Sequence, residues 1–254
     1  MWEWLEPRKI VQTSPHDDQV REGVVIVSDT ITRIGRSPTP RFPEFVVAVD
    51  VETTGLHSTD RIVSIGAIWL PTACLSEPSF PISYIHLIFD PGRTSHPKAE
   101  EVHGFDDWTL RHQEPFGLYA ERIRRFLQSG NLIIAHNAEF DIGFINRELA
   151  TAGQPTLDKP ICCTTEGYRA ADLGASASLK SVCATMGLRR QGKVHGALED
   201  AWLALMAYLW LHDYEHCKPF IACGQHLELF NLLPAPPRPE GALPRRSRKH
   251  SAGE

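Results

Sequence analysis

The sequence predicts an α/β protein in which helices pack on a mixed sheet. Three apolar, β-branched stretches follow one another early in the chain, at residues 45–51, 61–70 and 82–90. After them, helical and strand-like patterns alternate, which is typical of a sheet that gains strands through helical connections. A chain of 254 residues is long enough for one sizeable core.

The first predicted strand carries two acids where it leaves the core. In VVAVDVETTGL, an apolar run of four residues is closed by a Thr-Thr-Gly break. Because side chains alternate along a strand, Asp50 and Glu52 lie on one side and Val51 on the other. Neighbouring carboxylates repel and are costly to bury unless a cation lies between them or the strand end opens to water. These residues alone leave both possibilities open.

Further elements follow in order. The stretch GLYAERIRRFLQSG (117–130) has apolar residues at helical spacing and a glycine stop. A short apolar strand (132–135) runs into a polar turn and the helix DIGFINRELATAG (141–153). A serine starts the predicted helix 176–188. The helix 196–212 is apolar nearly all round, which predicts a central position.

The two ends of the chain differ from this pattern. Residues 1–42 predict an N-terminal appendage, in which REGVVIVSDTITRIGRS suggests a small β-hairpin and SPTPRFP a linker. We expect the folded domain over residues 43–215 and a C-terminal segment over 216–233. The basic, proline-rich tail 234–254 is predicted to be disordered.

Composition limits the functional classes. The net charge of −5 excludes nucleic-acid binding through overall charge, so an anionic substrate needs local patches or metal. Six cysteines form no CxxC pair and are expected to be reduced core thiols. The N-terminus lacks the apolar region of a signal peptide, and the apolar run 201–211 is too short to span a bilayer. We therefore expect a cytoplasmic protein with no membrane partner.

Two further acids lie next to strongly apolar predicted elements. Asp141 lies just past a predicted buried strand, and Asp200 begins a strongly apolar helix. Gly196 favours a loop position for His195, from which the imidazole can reach the same place. Four carboxylates and one histidine converge if the two helices pack on the first strand.

This set of residue types suits phosphodiester hydrolysis. Oxygen-only ligands favour hard cations such as Mg²⁺ or Mn²⁺. Two ions roughly 3.5–4 Å apart can stabilise the attacking and the leaving oxygen of an in-line displacement. A histidine, with an ordinary pKa of about 6.5, can take the proton from the attacking water.

Three segments carry a resemblance to a known family. VDVETTGL, HNAEFDIGF and HGALEDA resemble the three motifs of the DEDDh (DnaQ-like) 3′–5′ exonucleases, the group that includes the proofreading epsilon subunits of bacterial DNA polymerase III. The resemblance covers about residues 43–212. It implies an RNase H-like fold with a mixed five-stranded sheet. It also implies hydrolysis of single-stranded nucleic acid, with DNA favoured, from the 3′ end to nucleoside 5′-monophosphates.

The resemblance assigns roles to single residues. His195 would be the general base, and two Mg²⁺ or Mn²⁺ ions would be held by Asp50, Glu52, Asp141 and Asp200. The 3′-terminal nucleotide would be embraced by Thr53, Thr54, Gly55 and Leu56. Its other side would be lined by His136, Asn137 and Phe140. Where members of the family commonly have an Asp-Thr pair after the second motif, this chain has ICCTTEGYR. This difference would affect the wall of the substrate cleft and not the metal ligands.

Basic residues precede the predicted base. Phosphate contact and a merely solvated loop are both open for Arg189, Arg190 and Lys193. A different cluster, His103 with Glu100, Glu101, Asp106 and Asp107, is interpreted as a solvated loop and helix start.

The peptide GQHLELF predicts a partner. Gln225, Leu227, Leu229 and Phe230 resemble the short peptides by which bacterial replication proteins bind the sliding clamp. Gln225–Phe230 could thus link the chain to a clamp or a DNA polymerase, unless Leu227 and Phe230 cap the core instead. Two functional alternatives also stay open: an exonuclease that trims RNA or oligoribonucleotides, and a non-catalytic nucleic-acid-binding adaptor on the same fold.

Overall fold

Six strands form one mixed sheet in the order β1-β4-β3-β2-β5-β6. The computed structural model describes residues 23–28, 43–73, 79–188, 196–212 and 231–246. Within them the strands are β1 (Gly23–Ser28), β2 (Phe45–Thr53), β3 (Ile62–Pro71), β4 (Ser79–Ile88), β5 (Leu132–Ala135) and β6 (Ile161–Cys163).

The helices of the described residues follow the fourth strand. They are α1 (Pro97–His103), α2 (Asp107–Leu110), α3 (Ala120–Gln128), α4 (Ala138–Thr151), α5 (Thr164–Ala170), α6 (Leu179–Thr185) and α7 (Ala197–Leu211), with a short 3₁₀ turn at Phe116–Leu118. Among these helices, none is long and apolar enough to cross a membrane.

The predicted five-stranded sheet corresponds to β2–β6, and this prediction is confirmed. The strands β2, β3 and β4 pair antiparallel, whereas β5 is parallel to β2 and β6 is parallel to β5. The N-terminal appendage contributes β1, which adds a sixth strand antiparallel to β4. The second half of the predicted hairpin, beyond residue 28, lies outside the described residues.

The sheet is buried on both faces. Val47, Val49 and Val51 point to the face covered by α3 and α4. Val46 and Ala48 point to the other face, where α7 packs with nearly all of its residues buried. The acids Asp50 and Glu52 continue the Val46 and Ala48 side of β2, so they point towards α7.

The structure differs from the sequence prediction at the C-terminus. Disorder is predicted for residues 234–254, yet the part of the tail up to residue 246 lies against the rest of the fold. Its Arg246 forms ion pairs with Asp90 and Asp107, whose side chains are almost fully buried. The tail thus adds a cation beside both acids, and Asp107 also pairs with Arg111 at the end of α2.

The interpretation of His103 as a solvated residue is wrong. The side chain at the end of α1 is 2% exposed and stacks on Phe105, whose backbone N–H donates to Nδ1 of His103 at 3.0 Å. Burial lowers the pKa of His103 to about 4. The imidazole is therefore a neutral part of the core near pH 7.

Candidate active site

Three of the four predicted metal ligands form one cluster. Asp50 and Glu52 lie near the end of β2, and Asp200 lies in the first turn of α7. One carboxylate oxygen from each of these three residues lies within 4.8 Å of the others. Glu52 and Asp200 are buried, at 8% and 5% exposure, so solvent does little to offset their repulsion.

A glycine lets α7 approach the sheet closely enough to place Asp200 beside Asp50 and Glu52. Gly66 on β3 lies directly opposite Asp50 in the antiparallel pair. A Cβ atom at Gly66 would be 2.2 Å from the backbone nitrogen of Leu198, so no larger residue fits there without a shift of α7. The helix begins after Gly196, and its N-terminus favours the nearby carboxylate of Asp200.

Asp141 reaches the cluster where two strands separate. β5 pairs with β2 only as far as Ala48, which leaves the next part of β2 without a strand on that side. There an oxygen of Asp141, in the first turn of α4, accepts the backbone N–H of Val51 at 3.1 Å. Burial raises the pKa of Asp141 well above its ordinary value, and the charges of Glu52 and Asp200 raise it further. A bound cation would relieve both effects.

The loop Thr53–Leu56, called the 53–56 loop below, is held by a buried acid. Asp60 accepts hydrogen bonds from the hydroxyl of Thr54 and the backbone N–H of His57, both at 2.9 Å. Arg93 forms an ion pair with it at 3.3 Å. Burial alone would raise the pKa of Asp60, but these partners together lower it. A Cβ at Gly55 would be 2.6 Å from Asp60, so glycine is needed where the loop passes this carboxylate.

The residues predicted to line the other side of the nucleotide begin directly after β5. Nδ1 of His136 lies 2.9 Å from the hydroxyl oxygen of Thr164, and the ring also hydrogen-bonds the backbone of Ala177. Burial lowers the pKa of His136 to about 4, the bond to Ala177 opposes this shift, and the charge of Arg169 adds to it. Asn137 has a left-handed backbone (φ 65°, ψ 50°), which lets α4 start immediately after the strand. The bonds to Thr164 and Ala177 therefore fix the orientation of the His136 ring.

Two apolar residues complete the predicted substrate contacts. Leu56, at the end of the 53–56 loop, is 81% exposed. Phe140 is half-buried in α4, with its ring 4.8 Å from that of Phe144. Their contacts with the nucleotide stay predictions.

Some predicted residues lie outside the described part of the chain. This applies to residues 189–195, which include His195, Arg189, Arg190 and Lys193, and to the peptide Gln225–Phe230. Their roles stay predictions.

The structure also brings in residues that the sequence did not indicate as functional. Asp60 gave no signal, because it belongs to no recognisable spacing. Gly66 did carry one: a glycine inside a β-branched strand often marks the close approach of another backbone. Glu199, next to Asp200, is 8% exposed, and one of its carboxylate oxygens has no hydrogen-bond partner among the described residues.

Comparisons with known proteins agree with the resemblance of the motifs. The family model RNase_T, described as Exonuclease, matches residues 47–208. The DNA polymerase III subunit epsilon of Rickettsia prowazekii (strain Madrid E) is 32% identical over 177 residues, covering 65% of this chain and 72% of the relative. The same subunit of Buchnera aphidicola subsp. Acyrthosiphon pisum is 28% identical over 173 residues, covering 64% and 70%.

Solved structures share the fold. A complex of E. coli ExoI with single-stranded DNA, in a zinc-bound form, has a TM-score of 0.56 at 17% identity and covers 67% of this chain. An apo form of exonuclease I has a TM-score of 0.54 at 16% identity and covers 68%. This chain spans only 42% and 44% of the length of these two structures, respectively. The likeness therefore concerns the RNase H-like exonuclease fold.

Proposed function

The chain belongs to the RNase_T exonuclease family and is a DnaQ-like 3′–5′ exonuclease, and we propose that it hydrolyses single-stranded DNA to nucleoside 5′-monophosphates. The observation that carries this proposal is the cluster of Asp50, Glu52 and Asp200 with Asp141 beside it. Buried carboxylates so close together repel one another, and a bound cation relieves this repulsion. DNA is favoured because the relatives are named as subunits of a DNA polymerase, and a structural neighbour is a complex with single-stranded DNA.

The donor set fits two Mg²⁺ or Mn²⁺ ions. All of the ligand atoms are carboxylate oxygens, which suit these hard cations better than softer metals. Asp50, Glu52, Asp141 and Asp200 would hold them. The chemistry that two such ions supply when bound is stabilisation of the attacking and leaving oxygens of the phosphodiester.

The remaining predicted residues orient the substrate and move the proton. His195 directly precedes Gly196, the residue at the start of α7, and we assign it the role of general base for the attacking water. The 53–56 loop would hold the 3′-terminal nucleotide against the wall of His136, Asn137 and Phe140. Phosphate contacts are proposed for Arg189, Arg190 and Lys193.

A replication partner is part of the proposal. The peptide Gln225–Phe230 would bind a sliding clamp or a DNA polymerase through its apolar residues. The protein would act in the cytoplasm.

Phe230→Ala should abolish binding to the clamp in a surface plasmon resonance assay and leave cleavage of short oligonucleotides unchanged. Unchanged clamp binding would remove this partner.

The proposed activity is tested with 5′-labelled single-stranded DNA and RNA of equal sequence. Each is incubated with Mg²⁺, Mn²⁺ or EDTA and the products are separated by length. We expect a metal-dependent ladder that shortens from the 3′ end, faster on DNA, and absent in Asp50→Asn. Glu139→Gln is the matched control, since it removes an exposed acid from the first turn of α4 and should keep the ladder. Faster cleavage of RNA would select the RNA-trimming alternative, and binding without any ladder the adaptor.

A further inference from the structure

Residues 231–246, called the docked tail below, contact the end of β4 and the helix α2. The amide of Asn231 makes two hydrogen bonds to the backbone of Ile88, the last residue of β4. Further along, Arg238 pairs at 2.6 Å with Asp106, the residue that caps the start of α2. Backbone contacts and ion pairs therefore both hold the docked tail in place.

The last described residue of the docked tail supports a turn that follows β4. Nε of Arg246 donates to a carboxylate oxygen of Asp107 at 2.8 Å, and its Nη1 pairs with Asp90. The same oxygen of Asp90 accepts the backbone N–H of Gly92 at 2.9 Å. Gly92 has a left-handed backbone (φ 69°), which glycine adopts without strain. Arg246 thus holds the carboxylate that closes this turn.

The segment 90–96, called the 90–96 turn below, reaches the 53–56 loop at two points. Arg93 pairs at 3.3 Å with Asp60, which accepts a hydrogen bond from the hydroxyl of Thr54. At the end of the turn, the backbone N–H of His96 donates to the carbonyl of Thr54 at 2.7 Å. Both the side chain and the carbonyl of Thr54 therefore depend on where the turn lies.

We propose that the docked tail positions the 53–56 loop through the 90–96 turn, and that Arg246 is thereby a positioning residue for substrate binding. This inference rests on the proposed function, in which that loop holds the 3′-terminal nucleotide. The contacts that carry it link, in order, Arg246, Asp90, Arg93, Asp60 and Thr54. None of these residues belongs to the carboxylate cluster, so loss of Arg246 weakens substrate binding and keeps the metal ligands.

The 53–56 loop needs this support because its outer part is exposed. The four consecutive residues 56–59 are all exposed, and such segments open locally at a low cost in free energy. Arg93 is 44% exposed, so its ion pair with Asp60 is weak by itself and holds only while the turn keeps Arg93 in place. A loop that is ordered before binding lowers the entropic cost of holding a nucleotide.

Steady-state kinetics on a single-stranded DNA oligonucleotide test the inference, at a temperature where circular dichroism shows every variant to be folded. For Arg246→Ala we expect KM to rise about 10-fold, because ordering one backbone residue costs roughly that much. We expect kcat and the Mn²⁺ affinity from isothermal titration to stay close to wild type. An unchanged KM in Arg246→Ala would overturn the inference.

A double-mutant cycle tests the route through Asp90. Asp90→Asn removes the charge that pairs with Arg246 and keeps an acceptor for the N–H of Gly92. It should raise KM about as much as Arg246→Ala does. The double variant should have the KM of Arg246→Ala alone, because both changes break one contact. Effects on KM that simply multiply would show that Arg246 does not act through this carboxylate, and would overturn the route.

Two controls separate positioning from a general loss of stability. Arg245→Ala removes the exposed neighbour of Arg246 and should keep the wild-type KM. Val182→Ala removes a buried side chain from the apolar cluster with Tyr168 and Ala207, a cluster that includes no residue of the turn or the loop. It should lower the melting temperature and leave KM unchanged. An equal rise of KM in Val182→Ala and Arg246→Ala would show that lost stability alone explains the effect.

Hydrogen–deuterium exchange separates this inference from the parent proposal, because it needs no substrate. The amides of residues 53–61 should exchange about 10-fold faster in Arg246→Ala than in Val182→Ala, since the loop opens locally once its support is lost. If wild type cleaves no oligonucleotide, the exonuclease proposal fails. The exchange of these amides then decides the inference alone, and equal rates in the two variants would overturn it.

Discussion

At the scale of single residues, burial decides between the two explanations of the acidic strand end. The sequence allows either a cation or open water beside Asp50 and Glu52. The structure buries Glu52, Asp141 and Asp200 to 8% exposure or less. Because water has little access to these three carboxylates, a bound cation is the better account of their proximity.

The proposed role of His195 as general base predicts a loss of turnover without a loss of metal. His195→Ala should lower kcat by about 10²–10⁴, because a lost general base typically has that effect, and leave Mn²⁺ affinity nearly unchanged. Single-turnover kinetics and isothermal titration with Mn²⁺ measure the two quantities. Cleavage by His195→Ala at the wild-type rate would show that the mechanism is wrong.

The buried His103 predicts a pH dependence of stability. Its folded pKa is about 4, below the ordinary 6.5, so acid protonates the unfolded chain first. The free energy of unfolding should therefore fall as the pH drops from about 6.5 towards 4, by about 2 kcal/mol from this group between about pH 7 and about pH 5. His103→Asn keeps an acceptor for the N–H of Phe105 without titrating. Urea denaturation at both pH values should show a smaller fall in the variant, and equal falls would contradict the assignment.

At the scale of elements, the contact between α7 and β3 sets the position of Asp200. Gly66→Ala places a Cβ 2.2 Å from the backbone nitrogen of Leu198, so the start of α7 must move away from the sheet. We expect a lower melting temperature and at least a 10-fold loss of Mn²⁺ affinity, since the latter depends on the distance between carboxylates.

A second glycine provides the control for this prediction. Gly143 lies within α4, where a Cβ would meet only the guanidinium of Arg147 at 3.5 Å. Gly143→Ala should keep Mn²⁺ affinity and raise stability by up to about 1 kcal/mol, since alanine favours helices. Normal metal affinity in Gly66→Ala would show that the close approach does not position Asp200.

The elements differ in how well the sequence predicts them. The strands β2–β5 and the helices α3, α4 and α7 were predictable because their apolar periods extend over several residues. The three-residue strand β6 and the short helices α1, α2 and α5 carry too few residues for a period; α6 is equally short, and its serine start is what allowed its prediction. Site residues within the three motifs were predictable because each motif is contiguous in sequence and resembles a known family. Asp60 acts through a loop packing that exists only in the folded chain.

For the whole molecule, residues 231–246 belong to the folded body. Asn231 both accepts the backbone N–H of Ile88 at 2.8 Å and donates to its carbonyl at 2.7 Å, so its amide pairs with the end of β4. Further on, the indole of Trp108 donates to the carbonyl of Pro236. Composition predicts disorder here because it cannot show that the arginines of the tail meet acids distant in sequence.

The ion pairs of Arg246 predict that the docked tail contributes to stability. Its side chain is 15% exposed and pairs with Asp90 and Asp107, which are 7% and 9% exposed. Arg246→Ala should lower the free energy of unfolding by about 2 kcal/mol, because it removes the cation that pairs with the buried Asp90 and leaves Asp107 paired with Arg111. The neighbouring Arg245 is exposed, and Arg245→Ala should change stability by less than about 0.5 kcal/mol. Equal stabilities of the two variants in urea would contradict the docking of the tail.

Anomalous diffraction from crystals grown with Mn²⁺ and thymidine 5′-monophosphate can show whether the four carboxylates hold a pair of divalent ions at the end of β2. We expect two peaks roughly 3.5–4 Å apart, each about 2 Å from carboxylate oxygens of Asp50, Glu52, Asp141 or Asp200. Crystals that bind the nucleotide but show no anomalous peak at Asp50 would contradict this expectation.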